Sequence, residues 1–398
     1  MKIFITDDDM CTTQKLNLSR VQKWLVKNKC TIVDDKESAD QILCVTCNGW
    51  KLLEENSYER IRDLSQYHDK TIVMGCVVDA HEQKVNTLFK GKTVKTKSKN
   101  ALSFEGIEDY FPSFQVKLND IPAQTEFRRK IDYRDYNPRR VFINIAEGCS
   151  FACSFCTHKP GLGPRRSRTL VDILNQINRA NKTGIDVLHL MGMETALWGI
   201  EFKSNYVELL DAVLKIPGGF EIHIAQFQPH GLKLYGSDLA KLMSNKRVTD
   251  IQIPIQSTSD RIMKMMNRKN HSKIISPFLK AIRKDNIRTT LRTDLIVAWP
   301  SETIEERLHS LDYAAEHFDE IAVYAIELSE DLPAWKYQSQ AYSPKEAEEI
   351  VKFSKNYLNN KNVVIHSGQQ DDATMYEVEQ KRKQLRMNKL LSISQNNL

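Results

Sequence analysis

Short apolar runs alternate along this chain with segments whose apolar residues recur every three or four positions, and the alternation occurs twice, on two scales. In the first part KIFIT (Lys2 to Thr6), CTIVDD, QILCVTC (Gln41 to Cys47) and KTIVMGC (Lys70 to Cys76) read as strands. Between them, NLSRVQKWLVKNK and the segment around YERIRDLSQY carry helical spacing. Strand and helix in succession predict an α/β domain built on a small, doubly wound parallel sheet covered on both faces. From Val141 the pattern resumes with VFINIA, VLHLM, FEIHIAQF, DIQIPIQ, TTLRTDLIVAW and EIAVYAI, separated by helical stretches such as TLVDILNQINRA and SKIISPFLKAIRK. These strand and helix units in order predict a partial barrel, with its active face at the carboxyl ends of the strands.

The expected domains are therefore 1–125, a basic and aromatic linker over 126–140 (EFRRKIDYRDYNPRR), the barrel over 141–340 and a C-terminal extension over 341–398. That extension holds one strand-like run, NVVIHS, followed by the polar, helical-looking TMYEVEQKRKQLRMNKLLSISQNNL.

Composition changes the picture in two ways. With 398 residues, 41% of them hydrophobic, the chain is long enough for two or three cores. No apolar run approaches the ~18 residues of a membrane helix, and MKIFITDDDMC does not read as a secretory signal, so a cytoplasmic protein with no membrane partner is expected. In a reducing compartment the eight cysteines point to metal or redox chemistry rather than disulfides. The net charge of +6 permits a nucleic-acid partner without requiring one.

Cys149, Cys153 and Cys156 form CxxxCxxC just after the first barrel strand, in EGCSFACSFC. A 4Fe–4S cluster is normally held by four thiolates, so three leave one iron open to a small molecule. Structural zinc is the competing reading, but it wants a fourth ligand and usually pairs of CxxC; a coincidental cysteine-rich loop is the plainer one. Cys11, Cys47 and Cys76 are scattered in sequence, yet each falls at or just beyond a strand's carboxyl end. In an open parallel sheet those ends share the ligand-binding edge. Cys30 and Cys44 read as small buried hydrophobes. The pair Cys44 and Cys47 spells CxxC, but in a strand it lacks the helix N-terminus that would activate a redox thiol.

The blocks EGCSFACSFC…GPRRSR, IPIQSTSDRIMKMMNR (Ile253 to Arg268) and DLIVAWPSET (Asp294 to Thr303), with the upstream Cys11, VTC and MGC, resemble the radical S-adenosylmethionine (SAM) methylthiotransferases over roughly residues 1 to 340. The resemblance implies a radical-SAM partial (β/α)6 barrel and two 4Fe–4S clusters. Cys149, Cys153 and Cys156 would hold the cluster whose open iron takes the amino and carboxylate groups of SAM, cleaved by one electron to a 5′-deoxyadenosyl radical. Cys11, Cys47 and Cys76 would hold an auxiliary cluster carrying the sulfur to be inserted. One SAM would methylate that sulfur and a second would supply the hydrogen-abstracting radical. Phe155 and the Met191 to Thr195 turn, with Gly192 and Glu194, would cradle the methionyl part of SAM. Gln256 and Arg292 would bond its polar groups, and Val297 would pack on adenine. For Gln256 and Arg292 the plain alternative is capping of strand ends. Arg165, Arg166 and Arg168 would meet SAM carboxylate or substrate anions, or form a solvated basic turn. An external electron donor and a sulfur donor are implied as partners.

The chain departs from the family pattern at DDDMCTTQ, where Asp7, Asp8 and Asp9 set negative charge near the first auxiliary cysteine, or form a solvated acidic turn. The family's C-terminal small β-barrel is not legible in the last residues. GMETALWGIE (Gly192 to Glu201) looks like the branch that modifies an aspartate of a ribosomal protein. The expectation is a methylthio group inserted at an unactivated C–H bond of a protein or peptide side chain, ribosomal-protein-like or a peptide natural-product precursor. The first alternative is a tRNA adenosine near the anticodon, docked on linker residues Phe127, Arg128, Arg129, Lys130, Tyr133, Tyr136, Arg139 and Arg140. The second is a non-catalytic iron–sulfur partner protein.

Overall fold

The computed structural model describes residues 1–6, 10–96, 104–121 and 139–366, and with them Lys381, Gln384, Met387 and Asn388. The acidic turn Asp7 to Asp9, the linker through residue 138 and nearly all of the polar C-terminal stretch lie outside the described residues.

The first domain holds β1 (Lys2–Thr6), β2 (Thr31–Val33), β3 (Gln41–Thr46), β4 (Thr71–Gly75) and β5 (Lys92–Val94), with α1 (Thr12–Lys27), α2 (Lys51–Leu64), α3 (Cys76–Ala80) and α4 (Glu82–Leu88). The strands pair in parallel in the order β2-β1-β3-β4-β5. Side-chain alternation along β3 decides which helix covers which face. Leu43 and Val45 join Leu18, Val21, Trp24 and Leu25 of α1 in one buried cluster. Ile42 and Cys44 join Tyr58, Ile61 and Leu64 of α2 in another. Each such aliphatic side chain, fully buried, contributes roughly 1.5–3 kcal/mol, so both faces are held. The strand order reverses between β1 and β3, which opens a crevice at their carboxyl ends.

The second sheet contains β6 (Arg140–Glu147), β7 (Arg166–Ser167), β8 (Val187–Gly192), β9 (Glu221–Ile224), β10 (Val248–Gln252), β11 (Thr290–Val297), β12 (Glu320–Ala325) and β13 (Val364–His366). Its helices are α5 (His158–Leu162), α6 (Leu170–Lys182), α7 (Tyr206–Leu214), α8 (His230–Met243), α9 (Asp260–Met265), α10 (Ser272–Asp285), α11 (Ile304–His317) and α12 (Pro344–Asn359). The order is β13-β12-β11-β10-β9-β8-β6-β7, parallel except for β7. Outward residues such as Ile143, Leu188, Ile222, Ile251 and Leu291 share one core with Ile177, Leu209, Val213 and Leu279 of the covering helices.

The inward face is polar. Register places Phe142, His189, His223 and Asp250 side by side across four strands. Phe142 stacks on His189 at 4.3 Å between ring centroids, and His189 meets the edge of His223 at 4.5 Å. Arg292 then closes the row by pairing with Asp250 at 2.6 Å.

The sheet runs on past residue 340, where the sequence reading ends the barrel. Ser343 and Glu346 form a capping box that starts α12, and β13 pairs with Glu320, Ile321 and Ala322 of β12. Strands as short as β5, β7 and β13 carry too few residues to show a period, so only pairing reveals them. Among the described residues, no helix is long and apolar enough to cross a membrane.

Candidate active site between two cysteine triads

The barrel triad begins where β6 ends. Gly148 has φ +70°, and a Cβ there would stand 2.1 Å from the Pro164 carbonyl oxygen, so only glycine fits this turn. The loop it launches is pinned from outside. Ser154 N donates to Met266 O (2.9 Å), Ser154 Oγ to Met265 O (2.8 Å) and Asn267 Nδ2 to Ala152 O (2.7 Å). The segment in and after α9 thus acts as the loop's outer wall.

Behind Cys149 lies Glu194, fully buried. Its Oε2 accepts from Ser150 N and faces Arg165 Nε at 3.5 Å, while its Oε1 has no partner among the described residues. Burial, reinforced by the Glu194 charge, pushes the Cys149 thiol up to about 12. Burial also raises Cys156, but the hydrogen bond and charge of His158, with nearby backbone N–H groups, bring it below the ordinary thiol range.

The auxiliary triad assembles from three strand ends. Cys11 is the N-cap residue of α1, Cys47 follows β3 with its N–H donating to Ser57 Oγ (3.0 Å), and Cys76 opens α3. Gly75 makes the last turn possible, with φ +113° and a Cβ position only 2.2 Å from Thr46 O. Gln14 Nε2 donates to Cys76 Sγ at 2.7 Å. A hydrogen bond from Cys11 holds the Cys47 thiol well below its usual range. That shared bond and burial raise Cys11, and burial with the Cys47 charge raises Cys76.

A cavity of about 630 Å³ lies over the barrel triad. Cys149, Cys153, Cys156, Phe155 and Gln256 line it, together with Gly49 and Trp50 of the first domain. Other residues named from the sequence sit elsewhere. Gly192 ends β8, and Glu194 is buried beside Cys149 rather than among the residues lining the cavity. Arg292 Nε and Nη2 both donate to Asp250 Oδ1, at 2.8 and 2.6 Å, below the cavity. Val297 belongs to the outer core, because alternation along β11 turns Asp294 and Ile296 inward instead.

Arg165, Arg166 and Arg168 form neither an open anion site nor a solvated turn. Arg165 pairs with Glu201 at 2.8 Å and Arg166 approaches Glu147 at 3.8 Å. Buried Arg168 donates to Asn144 O and Gln176 Oε1, and burial lowers it to about 10.

Sequence reasoning missed His158, Gln226, Gln228, Arg268, Tyr324 and Lys355, all of which line the cavity. Gln226 and Gln256 have φ of 52° and 68°, and Ala298 one of 55°, so strained residues follow three consecutive barrel strands. No spacing rule in one sequence marks them.

Residues 143–314 match the Radical SAM superfamily, and residues 10–95 match the uncharacterized protein family UPF0004. With the barrel and its cysteine loop, these matches define the class, a radical-SAM enzyme carrying a second cysteine-bearing domain. The ribosomal protein uS12 methylthiotransferase RimO of Clostridium botulinum strain Eklund 17B is 26% identical over 357 residues, covering 84% of this chain and 78% of that protein. RimO of Thermosipho africanus strain TCF52B is 26% identical over 352 residues, covering 85% and 78%. The two matched domains and these relatives together support a radical-SAM methylthiotransferase family. Among solved structures, the radical-SAM methyltransferase TsrM of Kitasatospora setae superposes with a TM-score of 0.59 at 12% identity, covering 81% of this chain and 72% of that one. That likeness is one of fold.

The family's cofactors are two 4Fe–4S clusters and SAM. The donor sets fit them. Each triad offers three free thiols, and the unpartnered Glu194 Oε1 is a buried acceptor beside Cys149, suited to an ammonium group. Among the described residues, no three His, Cys, Asp or Glu side chains converge closely enough to hold a single metal ion.

Proposed function

We propose that the chain inserts a methylthio group at an unactivated carbon of a protein or peptide side chain. In this reading Cys149, Cys153 and Cys156 hold the SAM-binding cluster, and Cys11, Cys47 and Cys76 hold the auxiliary cluster. Its main support is that Gly49 and Trp50, just beyond Cys47 in the first domain, share a cavity wall with the barrel triad. When bound, these cofactors supply an electron source, a hydrogen-abstracting carbon radical and a sulfur to transfer.

The chain's own residues then bind, orient and exclude water. Glu194 receives the amino group of SAM on its free oxygen. Phe155, Met193 and Ile296 give the cavity apolar walls that keep water from the reacting carbon. Gln256 offers a side-chain amide from a strained strand end. Gly192 sets the turn that carries Glu194. Arg292 supports the floor through Asp250 rather than touching SAM, and Val297 does the same through the outer core.

Three observations favour a protein substrate over tRNA. The two relatives described above are named for action on a ribosomal protein. Lys355 of α12 lines the cavity with no hydrogen-bond or ion-pair partner among the described residues, and burial lowers its pKa. A cation there suits a carboxylate-bearing side chain. Of the basic linker residues assigned to RNA, Arg139 is engaged with Asp186 and Thr183 O.

Anaerobic iron and sulfide quantification tests the assignment. Wild type should hold about two clusters, and a Cys149→Ala, Cys153→Ala, Cys156→Ala variant about half that iron with no SAM cleavage. The corresponding variant of Cys11, Cys47 and Cys76 should cleave SAM without transferring sulfur. Wild type that binds tRNA but no peptide at equal salt would move the substrate to the nucleic-acid alternative, and wild type without SAM cleavage would leave only the iron–sulfur partner reading.

A further inference from the structure

Gln14 lies in the first turn of α1, three residues after the N-cap Cys11, and is fully buried. Its Nε2 donates to Cys76 Sγ at 2.7 Å, so the helix that starts at one auxiliary cysteine reaches past β3 to another, at the start of α3. That sulfur is the side chain's one hydrogen-bond partner among the described residues, since Gln14 Oε1 has none. A buried carbonyl left unpaired costs roughly 1–3 kcal/mol, which an apolar side chain of the same length would avoid. The bond to the sulfur is therefore what an amide adds at this position. Its orientation follows from the chemistry, because a thiolate accepts and only the nitrogen end of an amide donates.

The barrel closes in on the same cysteine. A Cβ added at Gly161 of α5 would stand 2.7 Å from Cys76 Cβ and 3.0 Å from Asn48 Oδ1. Cys76 thus sits against the α5 backbone while its sulfur is bonded from α1.

A hydrogen bond to a ligating sulfur draws charge from it and favours the more reduced cluster, one of the ways a protein sets a cluster's potential. We propose that Gln14 is a positioning residue of the auxiliary iron–sulfur site, fixing the Cys76 sulfur and raising the reduction potential of the cluster held there. This rests on the two-cluster reading above. In a protein where one cluster must give an electron to SAM, the potential of the second sets how strongly it competes for that electron.

The test is an anaerobic redox titration followed by electron paramagnetic resonance, with iron and sulfide counted in every sample. The full chain carries Cys149→Ala, Cys153→Ala and Cys156→Ala, so that the auxiliary signal is read alone. Adding Gln14→Met removes the donor at similar volume. It should move the potential to a more negative value at unchanged iron content, and shift the cysteinyl iron–sulfur stretch upward in the resonance Raman spectrum. Gln14→Asn keeps a shorter amide and should recover part of both shifts. Should Gln14→Met fail to load iron, the protein with Gln14 intact still decides. With glutamine isotopically labelled at the side-chain amide nitrogen, pulsed electron paramagnetic resonance of the reduced cluster should show coupling to that nitrogen. Full iron with the potential and the stretch unmoved by Gln14→Met, or no coupling to the labelled amide, would overturn this inference alone. No iron in the triple-alanine background would overturn the two-cluster reading and this inference with it.

Discussion

The barrel triad and the auxiliary triad present the same three thiols, yet they are assembled in different ways. Cys149, Cys153 and Cys156 lie on one loop, and their grouping needs only Gly148 to turn the chain and α9 to brace it. Cys11, Cys47 and Cys76 meet only because β1, β3 and β4 pair in register at a sheet edge. The first is local, so loop closure costs little entropy; the second exists only while the sheet does. Damage to the first domain's sheet should therefore empty one site, whereas damage around the barrel loop should loosen the other without unfolding the chain.

The strongest challenge to that contrast is Gly75→Ala. Its Cβ would stand 2.2 Å from the Thr46 backbone oxygen at φ +113°. We expect a loss of about 4 kcal/mol in the first domain, read by urea denaturation, together with half the bound iron. Retention of the auxiliary cluster would show that strand register does not build that site.

Next in size is Arg165→Met. It leaves the buried Glu194 without its nearby cation and removes the partner of Glu201. A broken buried pair costs about 3 kcal/mol, and SAM affinity should fall as Glu194 reorients, measurable by equilibrium binding.

Asn267→Gly should act more gently. Asn267 has φ +54°, which glycine tolerates, so the change removes mainly the bond to Ala152 O. About 1 kcal/mol of loop bracing is lost. Iron in the barrel site should become easier to remove by chelator, while auxiliary iron is unaffected. Equal loosening of both sites would erase the distinction drawn here.

The smallest effect concerns the brace itself. The Arg261 hydrogen bond holds the Glu306 carboxyl at about 2, tying α9 to α11. Because the folded value lies below the unfolded one, the pair stabilises above the ordinary glutamate range, and this is lost as pH falls toward about 2. Arg261 is half-exposed, so the contribution stays under about 1 kcal/mol. Wild type should exceed Glu306→Gln in urea midpoint at neutral pH, and the gap should close in acid.

Period and spacing carried much of this molecule. Alternation along QILCVT predicted a strand that places Cys44 in the core with Cys47 beyond its end. CxxxCxxC after VFINIA marked the loop that borders the cavity. Spacing failed where facing depends on alternation near a strand's end. The family resemblance implies Val297 against adenine, but Ile296 is the inward neighbour. It also failed for charge, since Arg165, Arg166 and Arg168 look like an anion site and are instead bound to Glu201, Glu147 and Asn144.

The sequence by itself determined the succession of strands and helices and the placement of Cys11, Cys47, Cys76 and Cys149 at or just beyond strand ends, because periodicity is a local property of the chain; SAM and the second cluster came from its resemblance to a family. Only the tertiary structure decided that Thr157 ties the loop after Cys156 to the loop after Cys47, that Lys355 reaches the cavity from α12, and that Glu194 keeps one oxygen free. Those relations are between side chains far apart in sequence. Their partners are chosen by packing, which no single stretch of residues encodes.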